Sequence, residues 1–241
     1  MKQFATKCFY DKPYVAFQTP KEYDDSVHLA RMKQIIYKEL LMKDTNPSAA
    51  DEAIAYHISV LTDHKIFSDE VDKQKFLSMT AQGKGRYDIL AFSLLDDRFD
   101  LLVRNPDASD DPVTDAVTAL MTRYREYYFR KESSLHSDFE VSINCSSIHD
   151  GRSLIETCLD IHALCMKENY VERLKDYWWT SYQTYRGEYD WKFVDVSDVL
   201  KRLDDKPEES RLALQKLQRR NLHGKSIKPL LAERPAKKRS R

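Results

Sequence analysis

The chain has 241 residues, 32% of them charged, and its 39 basic and 39 acidic side chains give a formal charge of zero. That length suits one sizeable domain with appendages, or two small ones. Only 5 glycines are present, far below the roughly 7% usual in proteins, which argues against glycine-rich phosphate loops and for a helix-rich chain. No run of about 20 apolar residues exists, and Met1-Lys2-Gln3-Phe4 does not open a signal peptide, so a cytoplasmic protein with no membrane partner is expected. Cys8, Cys145, Cys158 and Cys165 are unclustered and form no CxxC, so they read as reduced core thiols rather than a zinc site.

The neutral total hides an asymmetry. Lys216–Arg241 holds ten Lys/Arg and one acid, Glu233, a net of +9. Subtracting from 39 and 39 leaves 29 basic and 38 acidic residues in 1–215, a net of −9. An acidic body with a basic tail is unusual for a protein that grips DNA with its folded domain, because phosphate neutralisation needs basic surface where the DNA docks.

In chain order, residues 1–50 read as an N-terminal extension. Its helix, Val27–Lys43, carries Leu29, Met32, Ile36, Leu40 and Leu41 at helical spacing and closes at Thr45-Asn46-Pro47. It either packs on the domain or meets a partner. Ala53–Leu61 predicts a strand, with Tyr56, Ile58 and Val60 alternating against His57 and Ser59. Ser68-Asp69-Glu70 opens a helix to about Thr80, acidic in its first turn. Gln82-Gly83-Lys84-Gly85 is a turn whose glycines serve geometry. Strands Tyr87–Leu95 and Phe99–Arg104 form a hairpin, and Asp111-Pro112 starts a helix with the stripe Val113, Val117, Leu120, Met121, Tyr124 and Tyr128. A short strand, Phe139–Asn144, precedes a helix from Ser153 to Lys167 capped by Asp150. Beyond Tyr170 the chain reads as helical and aromatic, with helices near Val196–Leu203 and from Pro207 to about Asn221. After Gly224 it reads as a disordered basic tail.

The order β-α-β-β-α-β is the ferredoxin-like arrangement. The fold class predicted is α+β: a four- or five-stranded antiparallel sheet with helices on one face. The expected boundaries are an extension at 1–50, a domain at 51–190, C-terminal helices at 191–223 and a tail at 224–241.

Several blocks resemble, in order, the REP-associated tyrosine transposases, a branch of the single-tyrosine HUH nucleases. These are Tyr56-His57-Ile58, Ile66-Phe67-Ser68, Tyr124-Arg125-Glu126-Tyr127-Tyr128, and above all the run from Asn169 to Tyr182 with its Asp176-Tyr177-Trp178-Trp179-Thr180-Ser181-Tyr182 ending. In that family a strand carries histidine-hydrophobic-histidine, whose alternation puts both imidazoles on one sheet face to share Mg or Mn. Here Arg98, Phe99 and Asp100 stand in those slots. Asp160 stands at the family's nucleophilic tyrosine, and Asp138 and Glu140 at two usually basic positions. The resemblance thus implies the inherited fold of a single-stranded or hairpin DNA-binding protein, with no catalytic residue, no metal and no cofactor, in effect a pseudoenzyme.

Arg98 beside Asp100 should repel a cation and pair with the carboxylate. His57 or His162 could otherwise have joined Asp100 as ligands. Asp160 should be a solvated helix residue, Tyr124 and Tyr128 core, and Tyr127 freer. Trp178 and Tyr182 should be buried, although Trp178, Trp179, Tyr182 and Tyr185 could stack on unpaired bases. The expected nucleic-acid contacts are Lys225, Lys228, Arg234, Lys237, Lys238, Arg239 and Arg241 of the tail, with Arg123 of the body. A non-catalytic protein-interaction or regulatory module is the alternative, and a homodimer is plausible in either reading.

Overall fold

The structure is a computed structural model that describes residues 53–83, 86–104, 112–131, 141–225 and 227, with the backbone alone at 112–116 and 141. The expectations for the 27–43 helix, Cys8, Gly85, the Asp111 cap, Asp138, Glu140, and Lys228, Arg234, Lys237, Lys238, Arg239 and Arg241 lie outside these residues.

The elements run β1 (Ala55–Thr62), α1 (Glu70–Ala81), β2 (Asp88–Leu94), β3 (Arg98–Arg104), α2 (Pro112–Lys131), β4 (Val141–Ile148) and α3 (Gly151–Lys167). A 3-10 turn (Leu174–Asp176), α4 (Tyr182–Arg186), α5 (Ser197–Leu203) and α6 (Pro207–Leu222) follow. The four strands lie in the order β2-β3-β1-β4 with every neighbouring pair antiparallel. This is the α+β, ferredoxin-like sheet that the β-α-β-β-α-β order predicts.

Strand alternation sorts the side chains into two cores. On one face Ile58 and Val60 of β1 sit opposite Leu101 and Phe99 of β3 and pack with Phe76 and Leu77 of α1 and Val117, Leu120 and Tyr124 of α2. Phe76 is the hub, with ring centroids 4.6 Å from Phe99, 5.2 Å from Tyr124 and 5.3 Å from Phe67. On the other face Ala91 and Leu102 meet Leu154, Ile155, Cys158 and Leu159 of α3, which in turn packs with Leu214 and Leu217 of α6. The expectation of helices on one face is therefore corrected: α1 and α2 cover one side and α3 covers the β2–β3 half of the other. The run Ile89–Leu95 is buried throughout because both its faces are covered. Cys158 and Cys165 are buried together in this second core, as their spacing implied.

Local signals explain the helix starts. The Asp69 side chain accepts from the Asp72 amide, and Asp150 accepts from the amides of Arg152 and Ser153, filling donors the first turn leaves open. Asp150→Ala should lower the unfolding free energy by about 1 kcal/mol, read as a drop in urea midpoint with an unchanged slope; no drop would mean the cap is redundant. Gly83 lies so close to the Tyr87 ring that a Cβ would clash with it, which is the geometric role expected of that turn.

Three further expectations change. The strand expected at Phe139–Asn144 continues past Asn144 to Ile148, because all eight residues of β4, Val141–Ile148, pair with β1; Phe139 and Glu140 lie outside the described residues. The run from Tyr177 to Ser181 is not helical. It lies extended along the outer edge of β2, where Leu94 donates to the Trp179 carbonyl (2.9 Å) and Ser181 to the Phe92 carbonyl (3.0 Å). Val194 and Asp195 occupy the same edge further along, with the Asp195 amide 2.8 Å from the Ile89 carbonyl. Finally, the chain past Gly224 is not all loose tail: Ile227 is buried in the second core.

Candidate functional site

β1 and β3 bring His57, Arg98 and Asp100 to the sheet face that α3 shares. The register places Ser59 opposite Asp100 and His57 opposite Leu102, so the polar members of both strands point the same way. Asp100 is 1% exposed. Arg98 grips it twice, Nε to Oδ2 at 2.7 Å and Nη2 to Oδ1 at 3.1 Å, and His57 Nε2 meets Oδ1 at 2.8 Å. The expected Arg98–Asp100 ion pair is therefore formed, and His57 joins it. Burial pushes the Asp100 carboxyl up, but the bonds from His57 and Arg98 outweigh it and hold the group below the ordinary carboxylate range. The bond to Asp100 holds the Arg98 guanidinium above its usual value.

This donor set does not suit a divalent cation. Both Asp100 oxygens are engaged, and a guanidinium stands where a second ligand would be needed. Among the described residues no group of three or more His, Cys, Asp or Glu side chains is placed to hold a metal ion.

Asp160 lies on the outer side of α3. It is exposed, 2.7 Å from Lys167 Nζ and 3.2 Å from Asn221 Nδ2 of α6, so the fold does not bring it to the Arg98–Asp100 pair. His162 is fully buried, with Nε2 2.9 Å from Ser181 Oγ, and burial lowers its pKa to about 3. It is a neutral core histidine and joins no ligand set.

The tyrosines of α2 are anchored on the opposite sheet face. Tyr124 Oη donates to the Ile66 carbonyl (2.7 Å) and Tyr128 Oη to the Lys65 carbonyl (2.9 Å), both rings being buried as expected. Tyr127 is less free than expected. Its hydroxyl donates to the buried Asp72 carboxylate at 2.9 Å, and burial together with that bond pushes its pKa up to about 12. No phenolate is prepared for attack among these three.

Other cations of the body are also matched by carboxylates. Lys65 and Lys73 each reach Asp96 at 2.9 Å, and Arg104 meets Asp88, Asp195 and Asp198 at 2.7, 3.0 and 3.2 Å. Arg123 is exposed on α2 and bonds Gln82, on the side of the sheet covered by α1 and α2, away from Asp100. Lys225 is exposed at the end of α6.

The aromatic residues divide differently from expectation. Tyr182 is buried, but Trp178, on the run along the outer edge of β2, is 45% exposed. Trp178 packs at a tilt against Tyr189 (centroids 4.6 Å) and Trp191 (5.9 Å). Tyr189 and Trp191 were missed in the sequence. Their signal was available in Glu188-Tyr189-Asp190-Trp191-Lys192-Phe193, where rings and charges alternate.

No protein-family model matches the sequence, and no curated protein matches it. Among solved structures, the chain is similar to a REP-associated tyrosine transposase determined bound to a REP hairpin. Identity is 12%, the TM-score is 0.46, and the match covers 65% of this chain and 94% of that one. No helix among the described residues is long and apolar enough to cross a membrane.

Proposed function

We propose that this chain is a nucleic-acid-binding protein of transposase-like α+β type that does not cut strands through a tyrosine and a metal ion. The observation that carries the reading is the Asp100 carboxylate, buried and saturated by Arg98 and His57 in the slot where the sequence resemblance puts a metal-binding pair. Asp160 supports it: a carboxylate attacking phosphorus gives a labile acyl phosphate, not the stable phosphotyrosine that rejoining requires. Affinity for single-stranded or hairpin nucleic acid resides in the basic residues from Lys225 to Arg241, because clustered Lys and Arg side chains neutralise phosphate without sequence choice.

A second reading, a protein-interaction or regulatory module, is favoured by the ion-paired state of Arg98, Lys65, Lys73 and Arg104, which leaves the body little charge to offer phosphate. Binding across a salt series separates the two. The proposed function predicts a steep salt dependence that disappears on removal of residues 228–241; no binding even at low salt selects the interaction module. Incubation with single-stranded and hairpin oligonucleotides plus Mg²⁺ or Mn²⁺ should leave the DNA intact. A covalent protein–DNA adduct in that assay refutes the proposal.

A further inference from the structure

We infer that the seam between α1 and α2 is a phosphodiester-binding surface built on Lys75, Arg86 and Arg123; this deepens the nucleic-acid reading above. The seam lies on the sheet face opposite the Arg98–Asp100–His57 cluster. Its three cations are exposed, and among the described residues none meets a carboxylate. Lys75 Nζ lies 5.8 Å from the centre of the Tyr127 ring, and the Arg123 guanidinium donates to the Gln82 side-chain carbonyl. Burial raises the Tyr87 pKa while the charges of Arg123 and Arg86 pull it back, so both guanidiniums lie within electrostatic reach of that ring. Lys65, Lys73, Arg98 and Arg104, by contrast, are engaged by Asp96, Asp100 and the Asp88–Asp195–Asp198 group.

The surroundings are basic as well. Residues 69–83, 86 and 117–131 hold seven Lys/Arg against four Asp/Glu, a net of +3 in a body whose net is −9 through residue 215. Asp69 and Asp72 are matched by Lys131, and Glu126 by Arg130, which leaves Glu70 in the first turn of α1. Chemistry then selects the occupant. Gln74, Lys75, Ser78 and Gln82 are exposed along and just past α1, and their amide, ammonium and hydroxyl groups are donors that phosphate oxygens accept from. A protein partner needs an apolar centre, and Val71 is the one large apolar side chain exposed on α1 or α2 among the described residues. From Lys75 to Gln82 is about 10 Å along the helix axis, which suits an extended polyanion rather than one free phosphate. A strand with a charge at each nucleotide can meet all three cations at once. Contacts of this kind position a backbone and read no sequence. They add to the charge of Lys225–Arg241 and do not depend on it.

The full chain is titrated with labelled oligothymidylate over a salt series, following anisotropy, with polyglutamate of equal charge as a competitor. Two triple variants are compared with wild type. K75Q/R86Q/R123Q empties the seam, whereas K201Q/K206Q/K216Q removes three exposed cations from the α5–α6 region. The seam variant should bind about tenfold more weakly at low salt, and its log affinity against log salt should be shallower by about two, roughly 0.7 for each of three phosphates. The α5–α6 variant should stay within about twofold of wild type, and polyglutamate should compete poorly. Circular dichroism confirms that each variant is folded. Equal binding by the two variants overturns the seam and leaves the nucleic-acid reading in place. Competition by polyglutamate as strong as that of unlabelled oligothymidylate assigns the seam to acidic proteins and overturns the inference. If wild type binds no oligonucleotide at low salt, the nucleic-acid reading falls and the seam with it.

Discussion

Arg98→Ala is expected to lower the free energy of unfolding by about 2–3 kcal/mol. Removing one partner of a buried ion pair costs about 3–5 kcal/mol because the other charge is stranded. The lower figure follows from the 27% exposure of the Arg98 side chain and from His57, which remains to hold Asp100. Asp100 itself is 1% exposed and has no water to turn to. The paired replacement Arg98→Leu with Asp100→Leu should recover most of the loss, since apolar residues of similar volume can stand in for a desolvated pair. Urea denaturation of the two single variants and the double one gives the coupling directly. A loss below about 0.5 kcal/mol for R98A would show the pair behaving like a solvent-screened surface bridge, and the proposal that Arg98 closes Asp100 to cations would lose its energetic basis.

The second large effect is set by His162. Burial lowers its pKa to about 3 in the folded chain, against about 6.5 in an unfolded one. The unfolded state therefore takes up a proton first as the medium is acidified. Stability is complete above pH ~6.5 and declines as pH falls toward 3, by about 1.4 kcal/mol for each unit. Asp100, Asp96 and Asp195, whose folded pKa values lie below the usual carboxylate value, add their own losses at the acid end of that range and leave its upper half to the histidine. Equilibrium unfolding at pH 7.5, 6 and 5 should follow this slope. In His162→Gln the slope should flatten by about 1.4 kcal/mol per unit. An unchanged slope in H162Q would mean that the imidazole is not the group that titrates.

The pattern of strands and caps was open to a reader of the sequence because each rests on local chemistry. Tyr56, Ile58 and Val60 alternate on β1, Asp69 and Asp150 cap their helices, and Pro112 begins α2. The Arg98–Asp100 pair was legible for a similar reason: two residues apart on a strand, they must share a face. What escaped depended on partners distant in the chain. β4 extends through Cys145-Ser146-Ser147 only because β1 supplies a full ladder for it. The run Tyr177–Ser181, dense in rings, carries no mark of its own to say that β2 needs hydrogen-bond partners along its outer edge. Helices on both sheet faces could have been inferred from Ile89–Leu95, since an unbroken apolar run has no side left for water. The part played by His57 required the β1–β3 register, which no single segment encodes.

The cover over β2 also sets a schedule for folding during synthesis. The β-α-β-β-α-β unit is complete in sequence at Ile148, yet the outer amides and carbonyls of Phe92 and Leu94 find their mates within Tyr177–Ser181, and the Ile89 carbonyl finds its own at Asp195. A nascent polypeptide halted near Glu168 would present β2 as a raw margin, open to the next chain emerging beside it. Ile227, seated in the second core, emerges later still, so that core stays short of a member well after the edge of β2 has found its cover.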